Sequence, residues 1–489
     1  MSEQFTWIPS ELTPEVRYGG HVRHAATLFP DRADWGYRRM PVRFARFDEE
    51  PGAEVTVRLP GLPVRRATVE SLHPCGEHGI RADAVSFDPP GPGHYVLRVN
   101  GSYACFLFID PRPADAGWLS DRPVIDGTKT LRADSDEVQT EALQGLIDTA
   151  AAKQRGGVVR LPPGCFLTGT LQMRSGVYLH LHEDTVLLGT PDRSAYPVDP
   201  PVTGLSIARC RLLHFDGVED SGVVGRGAIN GNGSLLRHEA LFGNVRRKRV
   251  PSNLVRIQNS RRIRFQDVFL LDSEFWNTHI LASEDVSFAN VRLINEIPPR
   301  RWDPLHPDYT WNNADGINPD ASRNIRISDL FAYCGDDCLP VKNTGNAADA
   351  TRASEDMRFT RCTLISETTV MKIGTETCGP AFRDIEFEDI LQLDSGAPMG
   401  VMLRDGALLE NLVVRRLRAV RCRSAPYLST EVRRPEQTHP PGRMRGITFE
   451  DWEVWPANSD WDSFPETKLE APDHLENLVL RRVEVRKAP

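Results

Sequence analysis

The chain has 489 residues, 40% hydrophobic and 26% charged, with a formal charge of −8. These values suit a water-soluble globular protein and exclude a general nucleic-acid binder, which would present a basic surface. No apolar run in it approaches the roughly 18 residues of a membrane span, so no membrane partner is expected.

The opening stretch "MSEQFTWIPSELTPEV" has neither a basic nor an apolar signal region. The cysteines number nine, an odd count, and form no paired C-x-x-C framework, which argues against disulfides and structural zinc. Buried thiols in a reducing, cytoplasmic setting are the expectation. No metal or organic cofactor is implied, and the sequence leaves oligomeric state open.

Residues 40–112 alternate at period 2 in "MPVRFARF", "EVTVRL", "RATVESL", "HYVLRVN" and "YACFLFI", broken by Pro and Gly. This pattern predicts a small N-terminal antiparallel β-sandwich over 1–118, with "DPRPADAGWLSDRP" (110–123) as linker. A second unit, 119–489, follows. Val138, Ala142, Leu146 and Ala150, widened by Leu143 and Ile147, predict a helix over 138–153, with Ser135 as N-cap and Gly156 ending the pattern.

After the helix one template recurs: "RRIRFQDVFL" (261–270), "EDVSFANVRL" (284–293), "RNIRISDLFA" (323–332), "EDMRFTRCTL" (355–364), "RDIEFEDILQ" (383–392), "RGITFEDWEV" (445–454) and "ENLVLRRVEV" (476–485). Apolar residues fall at i, i+2 and i+5, and in most segments also at i+7. The first anchors are Ile263, Val286, Ile325, Met357, Ile385, Leu412 (from "ENLVVRRLRA"), Ile447 and Leu478. Subtracting neighbours gives steps of 23, 39, 32, 28, 27, 35 and 31 residues. Two strand fragments joined by a one-residue corner produce this signature. Its repetition without helices predicts an all-β parallel β-helix, with the helix at 138–153 plugging the open end.

In such a stack the inward face is apolar, so acids belong on the outer face or in turns. "NNADGINPDASRNIRISDLFAYCGDDCLPVK" breaks the pattern at Asp315 and at Asp336 and Asp337. Asp315 precedes Asp336 by 21 residues, close to one coil, so the three carboxylates are expected to cluster on one outer face about one strand spacing, ~4.8 Å, apart. Crowding by like charges raises the proton affinity of one acid, and two protonation states in one place are what glycosidic hydrolysis needs. Read from the residues alone, a calcium site or a solvated acidic turn remains open.

"NNADGINPD", "CGDDCLPVKN" and "IGTE" resemble the signature blocks of glycoside hydrolase family 28, the polygalacturonases and their relatives. The likeness extends over roughly 125–425, through "GVVGRGAINGNG" and "NLVRIQNSRRIRFQDV". It implies a right-handed single-stranded parallel β-helix and an inverting hydrolase acting on an oligosaccharide or polysaccharide. By the same resemblance Asp336 is the proton donor, Asp315 and Asp337 hold and deprotonate the water, and Asn313 orients them or binds sugar.

Two positions depart from the family pattern. Thr369 stands where the family carries the His of a Gly-His-Gly, and Met402 and Arg404 replace an Arg-x-Lys clamp for the uronate carboxylate. Arg404 and Lys372 together still offer donors for one carboxylate. Lys342, Glu376, Trp276 and His279 complete the candidate substrate contacts. The basic loop "NVRRKRVP" (244–251) is a steering candidate, and "EIPPRRWDPLHPDYTW" (296–311) a wall that would favour exo-action. The rivals are a hydrolase of neutral α-glucans similar to the dextranases that join a β-sandwich to a β-helix, a polysaccharide lyase on the same fold, and a non-catalytic glycan-binding solenoid.

Overall fold

A computed structural model describes residues 6–9, 11–27, 42–111, 119–200, 210–236, 252–295, 313–433, 439–458, 461 and 463–486. The chain divides into two compact units, with the boundary between Ser120 and Asp121.

The first unit contains two five-stranded sheets. Period-2 alternation sends Val16, Tyr18, Val57, Val85 and Phe87 of one sheet, and Ala45, Phe47, Leu97, Leu107 and Ile109 of the other, into a single core. All five expected segments hold strands: Arg43–Asp48, Val55–Arg58, Ala67–Glu70, Gly93–Val99 and Ser102–Asp110. The expected all-antiparallel arrangement needs one correction, because Ser102–Asp110 pairs parallel with Arg43–Asp48. The chain visits the other sheet between those two strands and returns in the same direction. Asp110, expected in the linker, instead ends a strand as the buried ion-pair partner of Arg46.

The second unit is a right-handed parallel β-helix built on an 18-stranded and a 10-stranded sheet. The repeat anchors stack in register: Ile263 on Val286, Ile325, Met357, Ile385, Leu412, Ile447 and Leu478 in turn. The one-residue corner is equally regular. Four residues after each anchor, Asp267, Asn290, Asp329, Arg361, Asp389, Arg416, Asp451 and Arg482 all adopt φ between +49° and +62°. Each corner side chain reaches its neighbour above or below, as in Asn290 to Asp267 at 2.6 Å and Arg361 to Asp329 at 2.7 Å. Inside, Phe265 stacks on Phe288 at 4.8 Å and Phe359 on Phe387 at 4.5 Å. Such pairs add about 0.5–1.5 kcal/mol each beyond their buried area.

The helix spans Thr140–Ala151 and buries Leu143, Leu146, Ile147 and Ala150 against Val159, Leu161 and Leu179 of the first rungs. Val138 is corrected: it precedes the helix and is 47% exposed. Ser135 caps nothing helical, because Gln139 is the cap residue and the Ser135 hydroxyl accepts the Glu137 amide in the turn ahead. The nine cysteines are free thiols, seven of them buried.

Candidate active site

The ten-stranded sheet carries the acids at its entry turns. Asp315 lies just before strand Ile317–Asp320, and the 336–337 couple just before Leu339–Asn343. Asn277 donates its amide to the Asp315 carbonyl, and Gly316 donates to that of Asp337, both at 2.9 Å. Asp315 and Asp337 therefore occupy one position on adjacent rungs. The coil measures 22 residues, so Asp315 stacks with Asp337 rather than with Asp336. Gly316 makes the close approach feasible, since a Cβ there would meet the Cys338 carbonyl oxygen at 2.1 Å. Beneath the acids, Cys334 and Cys338 fill the apolar stack.

All three acids are buried, Asp315 at 2% and Asp337 at 3% exposure. Asp336 Oδ1 accepts the Asp337 amide at 2.9 Å, and its carbonyl accepts the Ser366 hydroxyl at 2.6 Å, which fixes the turn. Asp315 Oδ1 and Asp337 Oδ1 are buried without a protein partner. Two such oxygens on facing rungs form a place that a water molecule satisfies.

Two lysines, Lys342 buried and Lys372 half-buried, answer the negative charge. Lys342 Nζ lies 3.5 Å from Asp315 Oδ2 and 2.9 Å from Glu376 Oε2, while Lys372 Nζ donates to Asp337 Oδ2 at 2.8 Å. Burial pushes Asp315 well above the usual carboxylate range; Lys342 opposes this, and Asp336 and Asp337 add to it. Burial is thus the larger cause of the rise at Asp315, and the neighbouring acids add to it. Glu376 goes the other way. Burial would lift it, yet the Lys342 ammonium, helped by Arg433, takes it down to about 2.

The remaining candidates divide. Trp276 turns its ring face to the Lys342 ammonium, 4.4 Å from the centroid, and stacks on Phe275. His279 is fully buried and hydrogen-bonded to Asp320 at 2.9 Å. Glu376 is held by Lys342 and Arg433. These three are engaged by protein groups. Thr369 shares a 2.7 Å hydrogen bond with the Tyr427 hydroxyl. Arg404 stands 3.8 Å from Glu431 and keeps a buried Nε without a partner, and Asn313 is half-buried two residues before Asp315. The loops 244–251 and 296–311 lie essentially outside the described residues. Among the described residues no cluster of His, Cys, Asp and Glu is arranged to hold a metal ion.

Tyr427 and Arg433 escaped the sequence reading. Tyr427 follows Lys372 and Gly400 along one column of the sheet, a register that only the rung pairing reveals.

Residues 205–358, which include all three acids, match the sequence profile of glycosyl hydrolases family 28. Over that segment the chain is similar to family 28. Thr369, Lys372 and Arg404 lie beyond the matched segment. A probable polygalacturonase of Vitis vinifera is 27% identical over 286 residues, 56% of this chain and 55% of that protein. The chain thus spans little more than half the length of the curated relatives it matches. Among solved structures, a family 28 exopolygalacturonase of Yersinia enterocolitica superposes with a TM-score of 0.56 at 14% identity, over 89% of this chain and 90% of that one. Dex49A from Penicillium minioluteum gives 0.55 at 8% identity, over 99% and 91%. At these identities the two structures show a shared fold.

Proposed function

We propose that this chain is a glycoside hydrolase that cleaves glycosidic bonds in pectin-derived oligo- or polysaccharides with inversion at the anomeric carbon. The observation that carries this reading is the stacking of Asp315 on Asp337, with Asp336 beside them and two buried carboxylate oxygens free to hold a water. Asp336 donates a proton to the departing glycosidic oxygen, and the water held between Asp315 and Asp337 attacks the opposite face of the sugar. Single displacement needs donor and base apart by the width of that water. The named relatives from Vitis and Yersinia support pectin as the substrate class. Exo-action belongs to this proposal as well.

Met402 in place of a clamp arginine favours a second reading, a neutral or differently linked sugar. One experiment tests both. Wild-type and Asp336→Asn protein are incubated with galacturonide, rhamnogalacturonide and gluco-oligosaccharides, and products are followed by NMR. Release of the inverted anomer by wild type alone supports the proposal. A retained anomer or an unsaturated, ultraviolet-absorbing product refutes inversion or hydrolysis, and equal turnover by Asp336→Asn refutes the acid triad.

A further inference from the structure

Three buried aspartates around one water pose a question of choice: which of them takes the proton from it? We infer that Lys372 settles this by pairing with Asp337, making Asp337 the water-activating base and Lys372 its positioning residue. The inference rests on the hydrolase reading above and deepens it.

The division of labour within the Asp337 carboxylate is the first argument. Oδ2 receives the Lys372 ammonium at 2.8 Å, while Oδ1 is buried with no protein partner. One oxygen is anchored and the other faces the place where water would sit. Charge-assisted anchoring of this kind fixes a side chain's direction more firmly than a neutral hydrogen bond does.

Asp315 is placed differently. Its lysine, Lys342, makes its closer contact with Glu376, at 2.9 Å against 3.5 Å. The result is an acid whose proton affinity burial has raised. Asp337, by contrast, shares Lys372 with no other carboxylate at hydrogen-bond distance among the described residues.

The lane that holds Lys372 is built for it. Lys372 pairs in register with Pro340 below and Gly400 above. The Tyr427 ring lies over Gly400, where an added Cβ would meet it at 2.4 Å. Tyr427 is in turn held by the Thr369 hydroxyl at 2.7 Å. The side chain that stands in place of the family histidine thus braces the aromatic roof of the lysine. Burial alone would lower the Lys372 ammonium, but Asp337, then Tyr427 and Asp336, reverse this and hold it charged. The titratable and charged groups facing the pair are Asp315 and Asp336 from the entry turns, Lys342 and Glu376 from the neighbouring strands, Tyr427 from two rungs on, Arg404 beside Tyr427, and Cys334 from below.

The test uses full-length protein labelled with carboxyl-13C aspartate, comparing wild type, Lys372→Met and Lys372→Arg. In Lys372→Met one carboxyl signal, identified by its loss in Asp337→Asn, should titrate about one pH unit or more higher, because burial then acts on it uncompensated. Lys372→Arg should restore most of the shift. On the substrate found above, the acid limb of the kcat/KM profile should move upward in parallel, with KM at the optimum changing less than about twofold. If Lys372→Met does not fold, Lys372→Gln replaces it. An unmoved Asp337 signal in a folded variant overturns the inference, and so does a KM raised about tenfold with the acid limb unmoved, which would make Lys372 a substrate contact. If wild type cleaves nothing in the panel, the hydrolase reading falls, while the carboxyl titration still decides whether Lys372 governs Asp337.

Discussion

Lys342 joins Asp315 to Glu376, its ammonium 3.5 Å from one carboxylate and 2.9 Å from the other, with the face of Trp276 beneath it. A single buried cation therefore links the aspartate cluster to a residue one rung further on. Glu376 is held there by Arg433, which also reaches Asp405 at 3.4 Å.

The linkage makes Glu376 a determinant of acid stability. Its folded proton affinity is depressed to about 2, so its contribution is fully present above the unfolded value near 4.3 and is lost as pH falls from about 4 to about 2. The shift corresponds to about 3 kcal/mol. Glu376→Gln should lower stability at neutral pH by about that amount, since it strands a buried ammonium, and should flatten the decline between pH 4 and 2. Denaturant midpoints measured across that range check both parts.

Asp315 and Asp337 should behave as one unit. Asp315→Asn and Asp337→Asn are each expected to lower kcat by about a thousandfold, and the double variant by little more, because two groups holding one water cannot be removed twice. Additive losses in kcat would show that they serve separate steps.

Arg404 keeps a buried Nε without a protein partner, and the resemblance places it near a clamp for a uronate carboxylate. Arg404→Met should raise KM for uronides by about tenfold, a loss of roughly 1.4 kcal/mol, and leave neutral oligosaccharides unaffected. An equal effect on both classes would assign Arg404 to the frame rather than to recognition.

The stack itself offers a control. Phe359→Ala removes one ring of a parallel pair inside the solenoid and should cost about 3–5 kcal/mol, read as a lowered denaturation midpoint. Activity per folded molecule should stay unchanged, which separates support from chemistry.

Much of this architecture was legible in the sequence because a solenoid repeats its constraints. Each anchor from Ile263 to Leu478 faces the same interior, so the apolar template recurs and the register can be read by subtraction. The corner was visible for the same reason. The acids were legible because charge interrupts an apolar ladder. What stayed hidden depended on register across unequal loops. The contact of Tyr427 with Thr369 spans 58 residues, and Arg433 reaches Glu376 across 57. Neither interval is a multiple that the template supplies. Two of the strands missed in the first unit, His21–His24 and His78–Arg81, are short and exposed on every residue, so no alternation marks them. Val138 fitted the helical stripe by spacing, but the backbone before Gln139 had already been drawn towards Leu167, whose carbonyl takes the Gln139 amide.

The step from Val286 to Ile325 is 39 residues and that from Ile263 to Val286 only 23, yet both pairs meet in register. Sixteen additional residues between the anchors thus leave the layers on either side in register. Length can be gained or lost at such a junction while the spacing of the aspartates is preserved.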